Sequence, residues 1–132
     1  MSIALEQRDL VRTQQMEVAV NGPDGATHLI LCTGVANLNL VDHDTYTFLV
    51  GPHLSRRQFV GVIASGALST NETSDQKTGP PTELGVNLVL INANYDEESR
   101  QVKGRAEIAP DIMITKLAIS YNVSILAELP KY

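Results

Sequence analysis

The sequence has few aromatic residues: no tryptophan, two phenylalanines and four tyrosines in 132 residues. Proteins that bind single-stranded nucleic acid stack the bases on aromatic rings and neutralise phosphates with clustered Lys and Arg. This chain has neither feature, because its net charge is −5 and Arg56-Arg57 is its one adjacent basic pair. We therefore expect no nucleic-acid partner, and a sugar-binding function would lack the aromatic platform that it commonly uses.

Cysteine is also scarce, since Cys32 stands alone and no disulfide can form within the chain. It lies in the apolar run from His28 to Thr33, where a small buried thiol behaves as a hydrophobic side chain. The alternative is a catalytic thiolate, which needs a cationic or dipolar environment around the side chain, and a sequence does not show that environment.

Long apolar runs are missing as well. No segment approaches the roughly 20 apolar residues that span a bilayer. Residues 1–9 lack the basic start and apolar core of a signal peptide. We expect a soluble, cytoplasmic protein that does not bind membranes.

The composition is that of a folded domain. Apolar residues make up 43% and charged residues 19% of the chain, which is too apolar for a disordered protein. A chain of this length buries enough surface for a core of its own. Residues 1–132 are thus expected to form a single domain without internal repeats.

The remaining signal is an alternation with a period of two. Residues 117–129 place apolar side chains at odd positions and mostly polar ones at even positions, which is typical of a strand with one buried face. Upstream, Ile112 and Ile114 have the opposite parity, so we expect a β-bulge near Thr115-Lys116.

Similar patterns predict the other strands. Residues 14–20 and 26–33 flank the turn 21–25 as a first hairpin, and residues 35–41 and 45–50 flank Asp42-His43-Asp44 as a second. Residues 86–93 and 101–108 form a third, and the glycine in residues 59–64 suggests a bulge or close packing of backbones in a further strand.

About eight strands with short connections predict an all-β antiparallel β-sandwich of jelly-roll type, with a closed β-barrel as the alternative. Residues 1–13 are expected to form an N-terminal arm or short helix. Residues 69–83 contain no apolar anchor and two adjacent prolines, and are expected to form a long exposed loop.

Three histidines, His28, His43 and His53, raise the question of a metal site. Asp42, His43 and Asp44 are the candidate ligands, although His43 would face away from the two aspartates on an extended strand. The alternative is a solvated turn. No H-x-H pair is present to mark two inward-facing ligands of a barrel.

No other catalytic constellation is visible. The sequence has no G-x-S-x-G, no C-x-x-C and no glycine-rich phosphate loop. Arg56-Arg57 beside His53 could bind an anion, and an ordinary surface role is the alternative. We assign no catalytic residue and expect no cofactor.

One pattern points to a partner. Residues 29–31, 60–64 and, with Asn87 excepted, 86–91 are apolar at both odd and even positions, although strands of an antiparallel sheet with one solvated face should alternate between apolar and polar residues. A second subunit would cover the extra apolar face; β-propensity alone is the alternative explanation. The leading hypothesis is a non-catalytic binding or assembly module that forms a homo-oligomer, a dimer or trimer, with another protein as a possible partner. The alternatives are a small metal-dependent β-barrel enzyme using His43 and a carrier of small apolar ligands.

Overall fold

A computed structural model describes residues 2–20, 27–41, 44–69, 86–110 and 114–129. Within them, one turn of 3-10 helix spans Gln7–Asp9, and no helix is long and apolar enough to cross a lipid bilayer. The strands are β1 (Ser2–Ala4), β2 (Leu10–Ala19), β3 (Thr27–Val41), β4 (Asp44–Val50), β5 (Phe59–Ser69), β6 (Val86–Asp96), β7 (Gln101–Pro110) and β8 (Ile114–Glu128).

The strands form two four-stranded sheets. Sheet A has the order β1-β4-β7-β6 and sheet B the order β2-β3-β8-β5. All neighbours are antiparallel except β1 and β4. β3 pairs with β8, β4 pairs with β7, and β5 contacts β6 across the sheets, which is the nested order of a jelly roll. The predicted β-sandwich is confirmed, and the closed barrel is wrong because the two sheets do not join into one.

The core lies between the sheets and takes alternate residues mainly from β3, β4, β7 and β8, while β2 contributes Leu10. Apolar side chains on both inner faces interdigitate as in other sandwiches. The largest fully buried ones are Phe48, Ile30, Leu38, Leu54, Ile108, Leu117, Ile119, Ile125, Val102 and Val123.

Two aromatic rings meet at the centre of this core, each lying over a glycine on the neighbouring strand. Phe48 of β4 is opposite Gly104, and Tyr121 of β8 is opposite Gly34. A Cβ atom at Gly104 would lie 2.5 Å from the Phe48 ring, and one at Gly34 would collide with the Tyr121 hydroxyl. The rings touch across the sandwich with centroids 4.8 Å apart. These glycines are in strands because only a bare backbone leaves room for the rings.

Three strand predictions need correction. Residues 27–41 form one continuous strand that runs through Gly34, not the ends of two hairpins. β3 and β4 lie in different sheets, so the predicted second hairpin is wrong. β8 pairs with β3 in one register from Ile114 to Glu128, so the bulge expected near Thr115-Lys116 is absent. The change of parity there reflects residue type and not the path of the backbone.

Other predictions hold. β2 pairs with β3 and β6 with β7 as the first and third hairpins, and the β5 ladder shifts register between Phe59 and Gly61, as the glycine there indicated. The N-terminal region contains β1 and the 3-10 turn, and β2 begins at Leu10. The turn 21–25 and nearly all of the predicted loop 69–83 lie outside the described residues.

Candidate functional site

The outer face of sheet B carries a cluster of apolar side chains on all four strands. Antiparallel pairing places Met16 beside Leu31, and Val18 beside Leu29 and Leu126 in one row. The row that contains Met16 and Leu31 continues through Ser124 of β8 to Ile63 of β5. We call this cluster the apolar face, and its members are Met16 and Val18 on β2, Leu29 and Leu31 on β3, Leu126 on β8 and Ile63 on β5.

The apolar face is open to solvent at both edges of the sheet. Ile63 is 75% exposed and Met16 is 62% exposed, whereas Leu29, Leu31 and Leu126 between them are half-buried by their neighbours. Val60, the residue inserted by the β5 bulge, is also 51% exposed. Scattered exposed hydrophobic residues are normal, but a contiguous set on one sheet face marks an interaction site.

A β-bulge in β2 turns its apolar residues outward. Leu10 pairs with Ala36 on the inner face, and β2 then advances by three positions from Val11 to Gln14 while β3 advances by two, from Val35 to Thr33. The extra residue shifts the face on which every later side chain lies. Arg12 has a φ of 52°, which allows the bulge, and Met16 and Val18 therefore point away from the core that Leu10 enters. Sequence reasoning missed these positions, although the break in apolar alternation at Arg12-Thr13 marks the change.

A polar row limits the apolar face on one side. Gln14, Thr33, Asn122 and Ser65 are cross-strand neighbours over the full width of the sheet. An apolar centre beside a polar margin is the arrangement found in protein interfaces.

Cys32 lies on the inner face of sheet B and is buried. Burial raises its pKa from the ordinary 9.0 to about 11, so the side chain is a neutral thiol at physiological pH. This environment is opposite to that of a catalytic thiolate, and the prediction of a small buried hydrophobic residue fits it.

The open end of the sandwich next to Cys32 holds a cleft of about 230 Å³, which is smaller than most ligand pockets. Gln7, Gln14, Gln15 and Gln101 contribute to its walls, so it is polar and not the apolar interior that a lipid-like ligand requires.

The two described histidines lie in different parts of the chain. His28 lies on β3 with its Nδ1 atom 2.8 Å from a carboxylate oxygen of Glu17, and His53 is exposed in the connection between β4 and β5. Asp44 begins β4, while Asp42 and His43 lie outside the described residues. Over the part of the chain that is described, no three His, Cys, Asp or Glu side chains come together as metal ligands.

Arg56 has a structural role at one end of the sandwich. Its guanidinium lies 3.2 Å from Glu97 and 5.8 Å from the centre of the Tyr95 ring. The Tyr95 hydroxyl donates a hydrogen bond of 2.6 Å to the Leu54 carbonyl. These contacts attach the connection after β4 to the β6–β7 turn, and Arg57 next to it is exposed.

Comparison with known proteins returns no relative: no family model, no curated protein and no solved structure matches the chain. The apolar face is therefore the feature of the described structure on which a functional proposal can rest.

Proposed function

We propose that this chain is a non-catalytic assembly module that self-associates through the apolar face of sheet B. The observation that carries the proposal is a contiguous set of apolar side chains on all four strands of one sheet, exposed on β2 and β5 and half-buried on β3 and β8 between them. Removing such surface from water contributes roughly 25 cal/mol per Å² before the costs of association are counted. A second copy of the same face is a suitable cover, because a two-fold axis brings one patch against the same patch of another copy and so covers both apolar surfaces at once.

Charge supports a self-contact at this face. The apolar face has no ionisable side chain among its six members, and Ser124 and Gly61 complete its rows. Glu128 lies one row beyond Leu126 on the same side of β8 and is exposed, so it borders the apolar face. The centre of a face-to-face contact therefore opposes no like charges and buries no unpaired ion, which would cost several kcal/mol.

Substitution at the most exposed member tests the proposal. Ile63→Asp introduces a charge where the folded chain is open to water, so the fold should persist while the face-to-face contact is lost. Asn94→Asp is the matched control, since Asn94 is an exposed strand residue on the outer face of sheet A. Light scattering behind a sizing column should show a lower mass for Ile63→Asp and an unchanged mass for Asn94→Asp. Equal masses for wild type and Ile63→Asp would contradict the proposal.

A further inference from the structure

β2 is the edge strand of sheet B, and its free side has a regular set of backbone groups. The Val20 N–H donates a bond of 2.9 Å to the Thr27 carbonyl of β3. Along an antiparallel strand, successive residues point their backbone N–H and C=O groups alternately toward and away from the neighbouring strand, within the plane of the sheet. The backbone groups of Met16 and Val18 therefore also point at β3. The N–H and C=O groups of Gln15, Glu17 and Ala19 consequently point away from the sheet.

This edge has few of the features that usually prevent strand addition. It contains no proline, its bulge lies at Val11–Gln14, and the straight part beyond the bulge has one charged residue, Glu17. Every side chain from Val11 to Val20 is exposed. Among the residues that the structure describes, no strand pairs with this side of β2. An edge whose outward backbone groups have no strand partner is a template for another strand.

We propose that β2 pairs antiparallel with β2 of a second copy of this chain, joining two copies of sheet B into one eight-stranded sheet. This contact is separate from the face-to-face contact proposed above and does not depend on it. Ile63 lies on β5, at the opposite edge of sheet B from β2.

Side-chain pairing selects the register. A two-fold axis at Glu17 would place the two Glu17 carboxylates directly opposite each other, which is unfavourable. An axis at Val18 instead places Val18 opposite Val18, Met16 opposite Val20 and Glu17 opposite Ala19. This arrangement aligns apolar pairs on the outer face and hydrogen-bonds the backbones of Glu17 and Ala19. An axis at Met16 would pair Gln14 with Val18, a poorer match.

Disulfide trapping tests both the contact and the register. With the axis at Val18, the two Val18 Cα atoms form a non-hydrogen-bonded pair about 4.5 Å apart, within the range that a disulfide spans. The variant Val18→Cys should form a covalent dimer under mild oxidation. Glu17→Cys on the same strand should not, since residue 17 then faces Ala19. Cys32 is buried and does not interfere.

Trapping is carried out in the Ile63→Asp background, so that a face-to-face contact cannot bring the two cysteines together. Val18→Cys with Ile63→Asp should still form the covalent dimer. Adding Ala19→Pro should abolish the covalent dimer, because proline removes the N–H that residue 19 offers to the second copy and leaves the β2–β3 hydrogen bonds intact. Adding Ala19→Val, the control, should leave the covalent dimer unchanged.

Light scattering without oxidant separates the two contacts. Ile63→Asp should elute with twice the 14.3 kDa mass of one chain, and Ile63→Asp with Ala19→Pro should elute with the mass of one chain. A failure of Val18→Cys to cross-link in the Ile63→Asp background, or cross-linking that survives Ala19→Pro, would overturn the edge contact. A mass unchanged by Ile63→Asp overturns the face contact alone.

Discussion

The outer faces of the two sheets differ in polarity, although each sheet consists of four strands. On sheet A, the row Thr47–Arg105–Asn92 is polar, and Lys103 pairs with Asp96 at 3.5 Å. On sheet B, the corresponding positions include Met16, Leu31 and Ile63. A sheet face that contacts only water is usually lined by polar side chains, as on sheet A, and not by a set of apolar ones. This difference between the two outer faces is what the proposed cover of sheet B by a second copy of the chain rests on.

The largest expected effect is the loss of stability when a carboxylate is introduced on the inner face of sheet B, compared with its outer face. Ile119 and Val123 on β8 are fully buried, while Ser120 and Asn122 on the same strand are exposed. Ile119→Asp or Val123→Asp should therefore unfold the protein, because an unpaired buried carboxylate costs several kcal/mol, comparable with the stability of a whole domain. Thermal melts of these variants beside Ser120→Asp and Asn122→Asp provide the measurement. Equal damage from all four would mean that the polar row is buried too.

A smaller effect is expected where a glycine makes room for an aromatic ring. Gly104→Ala places a Cβ atom against the Phe48 ring, and either the ring or the strand must shift, at a cost of about 1–3 kcal/mol. Gly61→Ala is the control on the outer face of sheet B, where no atom lies within 4 Å of the added Cβ. Urea denaturation should show a change within about 0.5 kcal/mol for this variant. A similar loss at both positions would refute the packing account of Gly104.

The smallest effect concerns pH and the buried thiol of sheet B. The folded-state pKa of Cys32 is about 11, above the ordinary 9.0, because burial disfavours the thiolate. The resulting stability is complete below pH 9 and is lost as the pH rises towards 11, since the unfolded chain releases the proton first. Burial also raises the pKa of Tyr121, which adds to the same decline.

The measurement is the free energy of unfolding at pH 8, 9, 10 and 11 for wild type and Cys32→Ala. The variant should start from a lower value, because a buried side-chain atom is lost, and should fall less steeply above pH 9. Parallel curves would show that Cys32 does not titrate differently in the folded and unfolded chains.

The sequence was sufficient to predict the fold class because apolar alternation is strongest where one face is buried and the other is wet, as in residues 117–129. It was insufficient to predict which strands pair. Gly34 interrupts the apolar pattern of Thr27–Val41, so this single strand was predicted as two. The reason for a glycine at that position is the Tyr121 ring on the neighbouring strand, which the sequence does not reveal. The sequence also did not show which side chains of β2 point toward the core. One inserted residue near Arg12 reverses the direction of Met16 and Val18, and backbone conformation of that kind is not visible in composition.

The apolar face could be predicted in part. Two-sided apolar patterns in residues 29–31 and 60–64 indicated that something covers these strands, and the structure places Leu29, Leu31 and Ile63 together on one outer face. The contribution of Met16 and Val18 was missed, because alternation in β2 resembles that of a strand with its apolar side in the core. The side chains of residues 86–90 lie outside the described set, and the apolar pattern there remains a prediction.

The central claim is that sheet B is covered by another copy of the chain, and the mass of wild-type protein in solution tests it most directly. Light scattering behind a sizing column at micromolar concentration, in low and in high salt, should give a mass above twice 14.3 kDa, the mass expected of the Ile63→Asp variant, in both buffers. Salt should have little effect, because burial of apolar surface is not screened as exposed charge pairs are. A particle with the mass of one chain in both buffers would contradict the account.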